Sequence, residues 1–153
     1  MWIPAENTDP ILLLAPTRKS ISAFGAVRPA DGKFTSMMAS VFNATTFLLF
    51  LKELLKQRRG KRKVVLILDN ARWHHARQIR PWLHKNRKRI SLFFLPPYSP
   101  HLNPVERIWK LTRYNCTHNR YFNELSEVLK VVQDQFSLWR KPNKMLSRLC
   151  AII

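Results

Sequence analysis

Acidic side chains are scarce in this chain. Nine Asp and Glu stand against 27 Lys and Arg, leaving a formal net charge of +18 and a pI near 11.0. Such an excess repels itself unless a polyanion neutralises it, so nucleic acid is the default partner. A ribosomal-type protein would fit the same charge. A membrane-surface binder usually shows a basic amphipathic helix, and none is found here. Cysteine is nearly absent too: Cys116 and Cys150 are too few for a disulfide framework. Only three glycines, with 46% hydrophobic and 11% aromatic residues, exclude a low-complexity or disordered chain. No apolar run approaches the roughly 20 residues that span a bilayer. Residues 11–14 (ILLL) are too short for a signal-peptide core and lack a basic region before them. The expectation is an intracellular protein without a membrane partner, and bacterial cytoplasm fits. Its 153 residues suffice for one domain with a hydrophobic core.

Periodicity supplies the elements. Residues 19–27 (KSISAFGAV) partly alternate and predict a strand. Pro29-Ala30-Asp31-Gly32 predicts a turn, because proline presets φ and Asp-Gly tolerates positive φ. Residues 33–42 then form the returning strand of a hairpin. Phe47, Leu48, Leu51, Leu54 and Leu55 make a helical stripe within 45–57. The apolar run at 64–68 (VVLIL) does not alternate and predicts a strand buried on both faces; residues 90–95 (ISLFFL) predict a second buried strand. Between them, 76–86 reads as helix, with Pro81 kinking it or marking a late start. The run Pro96-Pro97-Tyr98-Ser99-Pro100 is a stiff loop. Helices follow at about 103–115 and 124–139. The element order is that of an α/β fold with a mixed sheet.

Few carboxylates are placed for chemistry. Asp31 sits in a turn, and Glu53, Glu124, Glu127 and Asp134 lie on helices where solvent explains them. Asp69 directly follows a buried strand, and α/β sheets bind ligands at the carboxyl ends of their strands. An Asx-type cap would explain Asp69 about as well. Glu106 follows Asn103-Pro104-Val105, which resembles a capping box with Asn at the cap and Glu reaching back to it. A pair with Lys110 would also account for Glu106. Residue by residue, a metal-binding role is plausible for both and no more.

The longer pattern decides. LILDNARWHHA (66–76) followed by FFLPPYSPHLNPVERIWKLTR (93–113) resembles the DDE transposases of mariner-like bacterial insertion sequences. The second acidic residue of that family stands in a strand–DNxxxH element and the third in PPYSPxLNPxExxW, matching Asp69 and Glu106 with 36 residues between them. The resemblance continues into 9–34 and 117–122. It implies a ribonuclease H-like mixed sheet flanked by helices. It also implies a two-metal site using Mg²⁺, with Mn²⁺ as a substitute, for DNA cleavage and strand transfer during transposition. Asp69 and Glu106 would be the catalytic metal ligands. Asn70, His74 and Asn103 would support them from behind. Phosphate contacts fall to Arg58, Arg59, Lys61, Arg62, Lys63, Arg87, Lys88, Arg89, Arg107 and Arg113, and Tyr98 is a candidate to stack on a base.

The family's first catalytic aspartate belongs to a strand upstream of Trp2, and Asp9 does not match it. The expected layout is therefore a connecting segment at 1–17, a catalytic domain at 18–140 lacking its first central strand, and a tail at 141–153. On that expectation the chain is inactive alone. An upstream-encoded transposase segment would be a partner, beside transposon-end and target DNA and a second copy in the synaptic complex. In bacterial cytoplasm the bound form would sit on the nucleoid. The alternative is a non-catalytic DNA-binding remnant.

Overall fold

A computed structural model describes residues 20–151 except Arg59 and Tyr98. The connecting segment, Asp9 and the proposed stacking residue Tyr98 therefore lie outside the described residues. Strands β1 (Ser22–Arg28) and β2 (Lys33–Ala39) pair antiparallel, with Gly25 opposite Ser36. The turn between them closes on Gly32, whose φ of +69° favours glycine, and its N–H donates to Arg28 O at 2.8 Å. Asp31 holds the Arg28 guanidinium across the same turn.

Helix α1 (Ala44–Lys56) starts at Asn43 with a reciprocal capping box to Thr46. Strand β3 (Val64–Leu68) pairs in parallel with β4 (Ile90–Phe94), and α2 (Arg80–Lys85) lies in the crossover. Helix α2 is shorter than the expected 76–86 because Pro81 fits only a first helical turn. Two 3₁₀ turns, Arg72–His75 and Arg77–Ile79, precede it. Helix α3 (Pro104–Thr112) runs into a π-helical turn at Arg113–Thr117, followed by α4 (Leu125–Trp139) and α5 (Lys144–Leu149). The expected tail thus contains a helix that packs inward, with Leu146 and Cys150 fully buried.

The core has two parts divided by the strands. Phe24 points to one side, onto Phe47, Phe50 and Leu51 of α1, joined there by Leu66, Leu68 and Ile90. Phe34 points to the other, into Ile108, Phe136, Trp139 and Leu146 of the α3–α5 layer. The second layer covers the hairpin only. The face of β3–β4 carrying Val65, Ile67 and Phe93 is left 58%, 53% and 58% exposed. This corrects the expectation of strands buried on both faces. An apolar run records that a face must be covered, and nothing among the described residues covers this one.

The strands do not form one sheet. β1–β2 and β3–β4 are separate two-stranded sheets among the described residues. Between β1 and β3 lies a cleft of about 530 Å³, lined by residues 23–27 and 65–69, with Phe47 and Phe50 on one wall and Val105 and Trp109 on the other. A second space of about 480 Å³ continues it past Ala26 and Val64 toward Arg62. The mixed α/β architecture of small sheets and helices is the fold class expected above.

Candidate active site

Asp69 is placed by the end of β3. At that end Leu95 N–H donates to Leu68 O at 2.7 Å and the Asn70 side-chain amide donates to Leu95 O. These two bonds fasten the end of β3 to the start of the proline loop. The Asp69 carboxylate accepts from Ala71 N–H at 3.2 Å, and its side chain is 59% exposed at the cleft mouth. The Asx-type cap therefore exists, but it engages one oxygen with a single long bond and leaves the carboxylate open to the cleft.

His74 stands behind it. Its Nδ1 lies 3.1 Å from both the Asp69 carbonyl oxygen and Oδ1. Both partners are acceptors, so Nδ1 carries the proton and donates. The ring is buried against Phe47, centroids 4.4 Å apart. Burial pushes the imidazole pKa below its ordinary value, while the Asp69 carbonyl and carboxylate pull the other way. The outcome is a neutral ring that orients Asp69.

Glu106 reaches the same cleft from the first turn of α3. Asn103 caps that helix by accepting from Val105 N–H at 3.4 Å. The return bond of a capping box is missing: the Glu106 side chain contacts no hydrogen-bond or ion-pair partner among the described residues, and Lys110 is not paired with it. Pro104 in the first turn supplies the helix start without needing the carboxylate. Both ordinary explanations of Glu106 therefore fail among the described residues, and its carboxylate lines the cleft.

The donor chemistry fits a hard divalent cation in part. Two carboxylates facing one cleft are what Mg²⁺ takes from a protein, with water filling the remaining positions. Among the described residues no third His, Cys, Asp or Glu joins them in a metal-binding group.

The chain matches the DDE superfamily endonuclease family over residues 1–129. It belongs to that family. An uncharacterised protein of Sinorhizobium fredii, y4pE/y4sA, is 37% identical over 106 residues, covering 69% of this chain and 75% of that protein. The IS630 insertion-element 39 kDa protein of Shigella sonnei is 30% identical over 109 residues, 71% of this chain but 32% of that one. The chain thus spans about a third of the second relative. The Mos1 strand transfer complex shares the fold with a TM-score of 0.65 at 19% identity, over 98% of this chain and 44% of that chain. The ribonuclease H-like fold and the mariner-like resemblance drawn from the motifs are both borne out. DDE superfamily enzymes use divalent metal ions.

The basic residues fall into separate places. Arg58, Arg62 and Lys63 line the far end of the β1–β3 gap, and Lys61 is exposed beside them. Arg87, Lys88 and Arg89 are exposed between α2 and β4, and Arg113 is exposed after α3. Arg107 does something the sequence did not announce. Its Nη1 donates to Leu149 O at 2.8 Å and Ala151 O at 3.0 Å, tying down the end of α5. Arg59 and Tyr98 lie outside the described residues. Trp73 packs against the core, and His75 was missed. Trp73 stacks on Phe42 in the cleft wall, its indole N–H without an acceptor among the described residues. His75 contacts Asn70 Oδ1 at 3.2 Å and stacks on Phe94. The doubled histidine was the available signal, since only the first matched the family pattern.

Among the described residues no helix is long and apolar enough to cross a membrane.

Proposed function

We propose that this chain is the catalytic part of a DNA transposase, cutting DNA at transposon ends and joining the freed 3′ end to target DNA. The supporting observation is the pair Asp69 and Glu106. They are far apart in sequence and stand on different elements, yet both line one cleft, and among the described residues no Lys or Arg pairs with either carboxylate. Two divalent ions, Mg²⁺ or Mn²⁺, would supply a clamp on the attacking and leaving oxygens of an in-line phosphoryl displacement. Asp69 and Glu106 would hold them, His74 keeps Asp69 oriented, and Asn70 and Asn103 fix the segments that carry the two acids. The exposed cations around the gap and beside β4 neutralise DNA phosphates, making affinity fall steeply with salt.

The third carboxylate belongs in the gap. Among the described residues the facing edges of β1 and β3 leave ladder groups that a strand between them would pair, and that strand's end would lie beside Asp69. A preceding segment, on the same or a separate polypeptide, is its source. Two such catalytic units acting on two ends make a dimer, on bacterial chromosomal DNA in the cytoplasm. The catalytic unit then extends from the gap strand through α5.

The test joins the chain to the coding segment that precedes it and supplies a plasmid carrying the element's ends. Mg²⁺-dependent nicking is expected, and Asp69→Asn or Glu106→Gln should each reduce it about a thousandfold, the equivalent of about 4 kcal/mol of lost transition-state stabilisation. Nicking that survives either substitution overturns the proposal. Salt-sensitive duplex binding without cleavage in any combination would favour a DNA-binding remnant.

A further inference from the structure

Behind the active site, on the outer side of β4, is a second cavity of about 450 Å³. His74 lines both this cavity and the cleft, so a single side chain separates them. Lys63, Arg80 and Arg87 stand on its walls, each exposed and none in an ion pair among the described residues. No carboxylate lines it. Three other cavities among the described residues do contain acids: Asp31 in one, Asp69 with Glu106 in the next, Glu53 with Asp134 in the third.

The cavity also has an aromatic surface. The His75 and Phe94 rings are stacked, centroids 4.2 Å apart and planes 27° from parallel. Phe94 remains 40% exposed. His75 is fixed by its bond to Asn70, the residue that also clamps the end of β3. A stacked pair held from behind with an open aromatic surface offers a platform for another flat ring. Cations around such a platform recognise a base together with its flanking phosphates, and this volume suits a ligand of nucleotide size. A base inside a duplex is already stacked and cannot reach the platform, so the fitting ligand is an unpaired nucleotide.

We propose that this cavity binds one nucleotide of single-stranded DNA, with its base on Phe94–His75 and its phosphates on Lys63, Arg80 and Arg87. The inference rests on the reading of the chain as a DNA-handling protein. It adds a place where strand ends exposed by cleavage are held.

A short oligonucleotide carrying 2-aminopurine tests it, with a duplex of the same length as reference. Binding should quench the 2-aminopurine. Phe94→Leu, which keeps β4 apolar, and His75→Gln, which keeps a donor for Asn70, should each weaken single-strand binding about tenfold and relieve the quench. Duplex affinity should change less than about twofold. Arg87→Gln should weaken single-strand binding and lower its salt dependence by about one counterion. Equal losses for single strand and duplex, or none in either ring variant, overturn the inference while leaving the DNA reading intact. A parent protein that binds neither form overturns both.

Discussion

Replacing Gly25 by alanine should measurably loosen the contact between the sheet and the helix that carries Glu106. A Cβ at Gly25 would lie 2.4 Å from Trp109 Cη2 and 2.7 Å from both Trp109 Cζ2 and Phe34 Cζ. Carbon atoms in good contact sit at about 3.5–4.0 Å, so these rings must yield by about 1 Å. They have little freedom to do so. Phe34 is fully buried, and its ring meets Trp109, Phe136 and Trp139 edge-on at 5.6, 5.2 and 6.0 Å. Overpacking of this kind costs about 1–3 kcal/mol. For a domain of this size each kcal/mol lowers the melting midpoint by about 2–4 °C, giving a fall of about 2–12 °C. Thermal and urea unfolding followed by near-ultraviolet circular dichroism measure it, with a lower urea midpoint and an unchanged slope. Trp109 stands one helical turn beyond Glu106, so the strain also displaces α3 relative to Asp69. Adding Trp109→Phe removes the two indole carbons nearest the new methyl and should recover part of the loss. A Gly25→Ala protein that melts within about 1 °C of the parent would refute the reasoning.

Other perturbations probe the remaining supports. Asn103→Ala removes the α3 cap and should cost about 1 kcal/mol, read as a drop in urea midpoint; no drop would mean Pro104 alone sets the helix start. Arg107→Met frees the carbonyls of Leu149 and Ala151. It should speed amide exchange in α5 while changing duplex affinity less than Arg113→Met does. Burial pushes the Cys116 and Cys150 thiols above their ordinary value of 9.0, with Arg120 and Arg107 respectively opposing it. A raised folded-state value means the neutral thiols contribute stability that is complete below pH 9 and fades as the pH climbs above it. Native protein at pH 8 should therefore react slowly with a thiol reagent and denatured protein at once, and rapid native labelling would contradict the burial of both.

What was legible in the sequence depended on the range of the cause. Val64–Leu68 ends where the apolar run ends, and Asp69 and Glu106 were identifiable because long motifs fix them together. Local capping chemistry was legible only as possibilities. Asn43 and Thr46 form the reciprocal box that the pattern at Asn103 and Glu106 resembles, while Glu106 makes no such return bond among the described residues. No property of the NPVE stretch distinguishes these outcomes, since the difference is what the rest of the fold places nearby. The exposure of Val65, Ile67 and Phe93 was illegible for the same reason: the run specifies a face to be covered and is silent about the cover. Leu146 and Cys150 entered the core through a helix of six residues, too short for periodicity to reveal.

The strand proposed for the gap would join stability to activity. On the proposed function it would pair the edges of β1 and β3, shield Val65 and Ile67 in part, and bring the third acid to Asp69 and Glu106. Fully burying one such aliphatic side chain contributes about 1.5–3 kcal/mol, so partial shielding of two is a gain of a few kcal/mol before the new hydrogen bonds are counted. That stabilisation follows mass action when the segment is a separate polypeptide, reaching about 2.7 kcal/mol at a hundredfold excess over its dissociation constant. The chain's melting midpoint should then rise by about 5–11 °C at that excess, and the rise should persist without any metal ion. Asp69→Asn should retain it, because the strand pairs through backbone and apolar contacts rather than through the acid. A midpoint that moves only when Mg²⁺ is added would show instead that the metal, and not the strand, assembles the site.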